Sequence, residues 1–479
     1  MPDEVFEEIA AAKRPAREER YWQAEVEETP VSGDIDGPAR AGLERLMSSV
    51  DAVWLDVERK KRFRLDEGLV NEPLQLIGSV RLAGGEDRPQ RFAQMLLVTA
   101  DHLNKHDRLD FFEAPMLVAE VAALGTQIDE IDGLGSEGLE KLRRLPSMTD
   151  SEVASTVYEL VVGSAARRKG LNVEMLPPVK HWKTPDFRIH DLAVPASLEC
   201  KRRLGVLNYE LKEAEHVREL YEAIRVELTR AHARVDVTFT DEVRTVDAVG
   251  FANVVLPLVR GSPDRRSTIA AWGSVSVETL PYTATIARTR VYSPDYMESV
   301  FEWRANAEWD GIVCESDPPA SLVVERVRGP RALRWVSRSE TAVQKKARGI
   351  TSLWADAMLQ IPGGDMGFIY VAYPEVNRAE IADARTREIM EASARWTHRW
   401  QIALGTSVVN RLYPRSKGCG VPDFIESAMP LAPNGDEYFV DLVPTRVFTP
   451  PAEEGSEERV AEARARAVAL LIERSKRRG

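Results

Sequence analysis

The segment from Pro185 to Lys201, PDFRIHDLAVPASLECK, constrains the fold of this chain more than any other stretch. It contains two short runs with strand-like alternation of polar and apolar residues, joined by a tight connection near Leu192–Val194. An antiparallel hairpin with this turn pairs residues whose numbers sum to about 385. In that register Asp186 lies opposite Glu199, and directly opposed Cα atoms are about 4.5–5.5 Å apart.

The second run of the hairpin also sorts its own side chains. Alternation places Glu199 and Lys201 on one face and Leu198 and Cys200 on the other. Two carboxylates side by side repel, so a cation must lie between Asp186 and Glu199. Hard oxygen ligands suit Mg²⁺ or Mn²⁺. An adjacent lysine can orient a water or stabilise charge on a phosphate undergoing attack, so the pattern indicates phosphodiester chemistry.

A helix is predicted immediately upstream of the hairpin. Thr149 and Glu152 have the spacing of a capping box, and Gly170 is a typical residue just beyond a helix end. Glu152 and Glu159 are seven residues apart and share a flank beside the apolar stripe of this helix. One of these two carboxylates is therefore expected to lean over the edge of the sheet.

At this point the sequence resembles the PD-(D/E)xK nuclease superfamily, which has the restriction-endonuclease-like fold. The resemblance covers Glu152–Lys201 and extends more weakly to a helix and strand within Thr341–Tyr373. It implies a mixed α/β (α+β) protein with an αβββαβ core. It also implies a metal-dependent nuclease, with a DNA endonuclease of restriction, defence or repair type as the first expectation.

The resemblance assigns roles residue by residue. Asp186, Glu199 and the main-chain carbonyl of Cys200 are implied ligands of Mg²⁺ (or Mn²⁺). Lys201 is the implied catalytic lysine. Glu159 is the implied accessory acid on the helix, with Glu152 as the second choice.

Other copies of the motif in the chain lack the right context. Glu58 and Lys60, and likewise Glu210 and Lys212, have the Glu-x-Lys spacing but fall in helical runs. Residues two apart on a helix point away from each other, so neither pair can share a site. Of the Glu-x-Lys motifs, the one at Glu199 alone combines strand alternation with a Pro-Asp pair in hairpin register.

Two segments compete to supply the second helix of the core. One is Asn208–Ala233, followed by the alternating run RVDVTFT; the other is Thr341–Gln360, followed by GFIYVAY at Gly367–Tyr373. We favour the second because GFIYVAY has the continuous apolar pattern of a strand buried on both faces. Gln344, Lys345 and Lys346, near the start of that helix, are then expected to line the same cleft.

The length of the chain, 479 residues, allows two or three domains. We predict a helical N-terminal domain at 1–146, a nuclease core at 147–376 with a β-rich insertion at about 235–335, and a C-terminal extension at 377–479. The helical domain is a candidate for contacts with a second copy or a partner protein. Residues 1–40 read as a loosely held arm, and the residues from Glu453 as a charged helical tail.

Charge indicates a local rather than a general affinity for polyanions. The net charge of −12 argues against a protein that coats nucleic acid indiscriminately. The segment from Leu160 to Leu204, however, contains nine basic and four acidic residues. A site that binds nucleic acid requires such a local excess of positive charge. His181 and Trp182, just before the Pro-Asp pair, either stack on a strand or cover the core.

The remaining signals concern location and an alternative function. No apolar run approaches the roughly 18 residues of a membrane span, and three distant cysteines match no disulfide or zinc spacing. We therefore expect a cytoplasmic protein without a membrane anchor. The alternative function is a catalytically inactive nucleic-acid-binding or scaffold subunit that retains the same hairpin.

Overall fold

The computed structural model describes residues 35–448 with gaps at 49, 70–72, 79, 83–87, 105–112, 180–182, 193–194, 205, 262–265, 304–308, 320, 375–377, 401–402, 418–420, 432–443 and 445. Residues 1–34 of the predicted N-terminal arm, His181, Trp182 and the tail from Glu453 lie outside these residues, whereas residues 36–40 of that arm belong to a helix, so the arm was predicted too long.

The helices of the described chain lie between Asp36 and Trp400. The described residues form twelve α-helices: α1 Asp36–Met47, α2 Ala52–Leu69, α3 Arg91–Leu103, α4 Ala114–Thr126, α5 Ile128–Asp132, α6 Ser136–Arg144, α7 Asp150–Arg168, α8 Asn208–Ala231, α9 Ala248–Val259, α10 Pro294–Phe301, α11 Glu340–Met358 and α12 Ala379–Trp400. None of them has the length and apolar character that a membrane crossing requires.

The strands of the described residues form a sheet of six, a sheet of seven and a separate pair. They are β1 Leu74–Ile77, β2 Val80–Arg81, β3 Val173–Met175, β4 Phe187–Ile189, β5 Ala196–Arg202, β6 Ala233–Phe239, β7 Arg266–Ala270, β8 Gly273–Thr279, β9 Thr283–Arg290, β10 Gly311–Glu315, β11 Val323–Arg328, β12 Arg331–Ser337, β13 Met366–Pro374, β14 Ala403–Lys417 and β15 Val421–Leu431. The molecule is therefore a mixed α/β protein, as the sequence predicted.

The six-stranded sheet carries the predicted hairpin near its middle. Its order is β15-β14-β13-β5-β4-β3, in which β3, β4 and β5 are antiparallel neighbours. β13 lies parallel to β5 and follows α11 in the chain. The residues of β13 from Met366 to Tyr373 are buried, which explains the uninterrupted apolar pattern of this segment. Of the two helix–strand pairs proposed from the sequence, the second supplies the neighbour of β5.

Helices cover both faces of this sheet. On one face, Val157 and Leu160 of α7 share a hydrophobic core with Leu198 and Cys200 of β5. On the other face, Trp354 of α11 belongs to a second core, which includes alternate residues of β13. The core under α7 also takes in apolar residues of α3 and α4, so packing is continuous across the predicted boundary at residue 146.

The seven-stranded sheet has the order β2-β1-β10-β12-β6-β8-β7. Most of its strands come from residues 233–337, and α8 and α9 pack on it. The N-terminal region was expected to be helical, but β1 pairs with β10, with Leu74 opposite Cys314. That expectation was wrong for residues 74–81, because a four-residue strand completed by a distant neighbour leaves little periodicity to read.

The last described residues, Val447 and Phe448, pack in the hydrophobic core under α7. Glu426 of β15 accepts hydrogen bonds from the main-chain N–H groups of Val447 at 2.9 Å and Phe448 at 3.0 Å. The ring of Phe448 stacks on Tyr158 of α7 with ring centroids 5.9 Å apart. The guanidinium of Arg202, at the end of β5, lies 5.5 Å from the centre of the same ring.

A buried group of charges connects the elements of the two sheets, and we call it the junction cluster: Glu213, Asp310, Lys346 and Arg378. Lys346 Nζ of α11 lies 2.7 Å from Glu213 Oε1 of α8 and 2.9 Å from Asp310 Oδ2. Arg378 Nη1 lies 2.9 Å from Asp310 Oδ1. Lys346 was expected to line the cleft, but its long side chain is instead drawn into the interior by these two acids.

Candidate active site

The hairpin has the predicted register. Phe187 pairs with Leu198, and the next two pairs of the ladder keep the same sum of 385. One step beyond the ladder, Asp186 and Glu199 are linked through the backbone. The N–H of Asp186 donates to Glu199 Oε2 at 3.0 Å, and the N–H of Cys200 donates to Asp186 Oδ2 at 2.8 Å.

Lys201 shares a face of β5 with Glu199. Its ammonium donates a hydrogen bond to Glu199 Oε1, and 24% of its side chain is exposed. The Glu199 side chain is fully buried. The two acids and the lysine proposed from the sequence therefore lie together at the end of the β4–β5 ladder.

Glu159 joins this group from α7, and Glu152 does not. Glu152 is occupied in the capping box with Thr149, as the sequence predicted, and is exposed. Glu159 lies further along α7, with 13% of its side chain exposed. Gly163, one turn later, has no side chain to hold the helix away from Phe187: a Cβ there would lie 2.6 Å from the ring. This close approach brings Glu159 towards Asp186, the neighbour of Phe187.

Two residues that the sequence did not single out complete the surroundings. Lys141 Nζ of α6 lies 2.6 Å from Glu159 Oε2. Gln360, just after α11, donates from Nε2 to Glu199 Oε1 at 2.5 Å. Lys141 is visible in sequence only as a basic residue near a helix end, and Gln360 is 161 positions from its partner. No local pattern could have identified either one.

No family model, curated protein or solved structure matches this chain. The resemblance to the PD-(D/E)xK superfamily therefore stays a prediction. What the site can do has to be argued from its own charges and contacts.

The pKa values of three acids, Glu159, Asp186 and Glu199, are raised towards neutral pH, and we call these acids the carboxylate cluster. Burial and the charge of Glu199 raise the pKa of Asp186 to about 7. Burial and the charge of Asp186 raise the pKa of Glu159 to about 7. Burial also raises the pKa of Glu199 to about 7, although Lys201 opposes the shift. Carboxyl groups perturbed by burial and by like charge are typical of functional sites.

The two lysines stay charged. Burial acts to lower the pKa of Lys201, but the charge of Glu199 and its hydrogen bond outweigh burial, so the pKa is raised. The same balance, with Glu159 as partner, raises the pKa of Lys141. Two ammonium groups therefore accompany three carboxyl groups, and the fully ionised group carries excess negative charge that a cation would neutralise.

The backbone of β5 adds a further oxygen to this group. In an antiparallel ladder the N–H and C=O of one residue point to the same side. The N–H of Cys200 points to Asp186, so its carbonyl is directed to that side too, beyond the last β4–β5 pair. Two carboxylates and one carbonyl are hard oxygen donors of the kind that Mg²⁺ and Mn²⁺ prefer, so the donor set fits the expected metal.

Side chains alone do not make a metal cage here. In the part of the chain that the structure describes, no three or more His, Cys, Asp or Glu side chains are grouped as metal ligands. The third acid of the cluster, Glu159, is engaged by Lys141. A metal at this position would therefore depend on Asp186, Glu199 and the main-chain carbonyl, with its remaining ligands supplied by water or substrate.

At least three of the nine basic residues in the window from Leu160 to Leu204 are engaged within the molecule. The guanidinium of Arg202 is buried against Glu120, and Arg188 Nη1 lies 2.6 Å from Asp365 Oδ2. Arg203 donates to the Gly349 carbonyl at 2.7 Å. Arg202 and Arg203 join the six-stranded sheet to its helices and Arg188 pairs with the loop before β13, so the charge count of the window was a poor guide to a nucleic-acid surface.

Proposed function

We propose that this chain is a metal-dependent phosphodiesterase, a DNA endonuclease of the PD-(D/E)xK type. The observation that carries the proposal is the opposition of Asp186 and Glu199 at the end of the β4–β5 ladder, with Lys201 beside them. The chain order supports it: α7 is followed by the meander β3, β4 and β5, and α11 then leads to β13, parallel to β5. This is the αβββαβ order that the resemblance implies.

In this proposal Asp186, Glu199 and the Cys200 carbonyl hold Mg²⁺ (or Mn²⁺). A bound divalent ion supplies Lewis acidity towards the phosphate and makes water a better nucleophile near neutral pH. Lys201 is held by Glu199 and keeps its proton, so it can donate to a phosphate oxygen that gains charge during attack. Glu159 holds a second ammonium, that of Lys141, beside the same cluster.

The test is cleavage by purified full-length chains. Plasmid, single-stranded DNA and RNA are incubated with Mg²⁺, Mn²⁺ or EDTA, and the variants are Asp186→Asn, Glu199→Gln and Lys201→Met. Each substitution keeps the size of the side chain and is expected to reduce cleavage at least about 100-fold, because it removes either a carboxylate that would hold the metal or the ammonium that would donate to the phosphate. Glu174→Gln and Lys183→Met are matched controls, since both residues are exposed. Cleavage at the wild-type rate by folded Asp186→Asn, or undiminished cleavage in EDTA, contradicts the proposal.

One observation favours a second candidate, the catalytically inactive binding or scaffold subunit. The protein itself satisfies much of the cluster: Glu199 accepts from Lys201, Gln360 and the Asp186 N–H, and Asp186 accepts from the Cys200 N–H. A purely structural cluster would have the same contacts. Retained binding of nucleic acid without cleavage under any metal, with wild type and Asp186→Asn indistinguishable, decides for this candidate.

A further inference from the structure

A groove lies between α6 and the first half of α7, separate from the hairpin that carries the metal ligands. Its volume is about 360 Å³, within the range of ligand sites. Its lining includes four hydroxyl groups, two basic side chains and two acids, with a single methionine as the apolar member: Lys141, Arg144, Ser147, Met148, Ser151, Glu152, Ser155, Thr156 and Glu159.

The chemistry of the lining identifies the class of ligand. Sites for small organic molecules are lined mainly by apolar and aromatic side chains, and this groove has one apolar residue, Met148. Serine and threonine hydroxyls and basic side chains are the groups that contact phosphate and sugar oxygens in nucleic-acid complexes. The groove therefore suits a sugar–phosphate backbone better than a base.

The two acids of the lining are already engaged. Both the N–H and the hydroxyl of Thr149 donate to Glu152 Oε2, at 2.8 and 2.7 Å. Glu159 is paired with Lys141. Among the residues that the structure describes, Arg144 has no carboxylate within 4 Å, although its charge contributes to the lowered pKa of Glu152, and it is exposed at the groove. Its guanidinium is thus a cation available to an incoming anion.

The groove also leads to the candidate active site. Glu159 and Lys141 belong both to its wall and to the surroundings of Asp186. From Ser151 to Glu159 the wall follows two turns of α7, about 12 Å at 1.5 Å per residue. At a duplex rise of 3.4 Å this length corresponds to about three nucleotides. A strand lying in the groove would therefore reach the carboxylate cluster within a few nucleotides.

We infer that this groove is the subsite for the sugar–phosphate backbone flanking the bond that is cut, with Arg144 as its main phosphate contact and the hydroxyls of Ser151 and Ser155 as secondary ones, since the Ser147 hydroxyl donates to the Arg144 carbonyl. The inference rests on the proposed function for the location of the cut, but not for the binding itself. It gives the helices before residue 146 a direct part in holding substrate.

The test is equilibrium binding of a fluorescent single-stranded 20-mer and its duplex to the full-length chain in EDTA, over a series of salt concentrations. Arg144→Gln is expected to weaken binding about fivefold, the upper range for one exposed ion pair. It should also flatten the slope of log K against log salt by about 0.7 for the single strand and 0.9 for the duplex. Arg143→Gln is the matched control: it is the adjacent exposed arginine of α6 and does not line the groove.

A second variant approaches the same question from the other wall. Ser151→Asp places a negative charge in the groove, at an exposed position in the first turn of α7 where an acid suits the helix dipole. It is expected to weaken binding at least as much as Arg144→Gln without loss of folding. Equal binding by the Arg144→Gln, Ser151→Asp and Arg143→Gln chains overturns the inference, and so does the absence of binding by the wild type.

The two proposals fail in different ways. If the wild type never cleaves, but Arg144→Gln weakens binding and Arg143→Gln does not, the groove is a binding site and the nuclease proposal is wrong. If the wild type cleaves in a metal-dependent manner, but the two variants bind nucleic acid equally well, the nuclease proposal holds and the groove is not the subsite.

Discussion

Two buried groups of charges in this molecule differ in the balance between acids and bases. In the junction cluster two acids are matched by two bases: burial raises the pKa of Glu213, but Lys346 and Arg378 outweigh the burial of Asp310, so the pKa of Asp310 is lowered. In the carboxylate cluster, three acids face two lysines, and the pKa of each acid is raised to about 7. Balanced buried charges join structural elements, whereas buried carboxyl groups that outnumber their cations and have raised pKa values are typical of functional sites.

The largest expected effect comes from unbalancing the junction cluster. Lys346→Met leaves Glu213 and Asp310 buried without their shared cation and should lower the free energy of unfolding by about 3–5 kcal/mol. Urea denaturation followed by circular dichroism measures this loss. Lys345→Met is the control, because the neighbouring lysine is exposed and pairs with Glu242 at the surface. A loss for Lys346→Met no larger than for the control would show that the junction cluster is not a structural joint.

A substitution in the carboxylate cluster is expected to have the opposite effect and to raise the free energy of unfolding. Asp186 has a raised pKa in the folded protein, so above pH 7 its ionised form opposes folding. Asp186→Asn removes this charge and retains an oxygen for the Cys200 N–H, and should stabilise the metal-free protein by about 1–3 kcal/mol at pH 8. If Asp186→Asn is less stable than the wild type at pH 8, the pKa of Asp186 is not raised in the folded protein.

The pH dependence gives the same prediction a second readout. A raised pKa in the folded state means that the folded protein binds protons more tightly, so the wild type gains stability from this cluster as the pH falls from 8 to 5. The advantage of Asp186→Asn should therefore shrink over that interval. The lowered pKa of Asp310 acts the other way, since its contribution is present above an ordinary pKa of 3.8 and is lost in stronger acid. Unfolding curves of the wild type and Asp186→Asn at pH 8, 6.5 and 5 measure the part of this pH dependence that comes from Asp186.

The smallest effect is expected at Gln360, which supports the carboxylate cluster from outside. Gln360→Met removes one donor to Glu199 and should change stability by no more than about 1 kcal/mol. If Glu199 binds a metal, loss of this supporting hydrogen bond should raise the Mg²⁺ concentration needed for half-maximal cleavage by about tenfold. Gln344→Met is the control, as Gln344 donates to the exposed Glu340 on α11. An unchanged Mg²⁺ requirement would remove Gln360 from the site.

Local patterns predicted the parts of this fold that depend on neighbouring residues. The register that opposes Asp186 and Glu199, the capping box at Thr149 and the end of α7 before Gly170, which has a φ of 82°, all follow from spacing within one or two elements. The buried strand at Met366–Pro374 followed from its continuous apolar composition. Each of these features is decided by hydrogen-bond geometry or burial that a short sequence records.

The features that were missed depend on partners far away in the chain. Arg202 was counted towards a nucleic-acid surface, yet its acid is Glu120, 82 positions away. Lys346 was placed in the cleft, yet Glu213 is 133 positions away. A basic residue looks the same in sequence whether its counter-charge is a ligand or a distant acid of the same chain. Charge counts over a window therefore could not distinguish a binding surface from an internal ion pair.

The packing of Val447 and Phe448 under α7 joins residues that are synthesised at very different times. A ribosome that has produced the chain as far as β13 has already made all three acids and both lysines of the carboxylate cluster. The ring that packs against Tyr158 and Arg202 is added more than seventy residues later. The residues of the cluster are therefore synthesised well before the ring that packs on Tyr158 and Arg202, and a chain that stopped before Phe448 would have the cluster without this packing on α7 and β5.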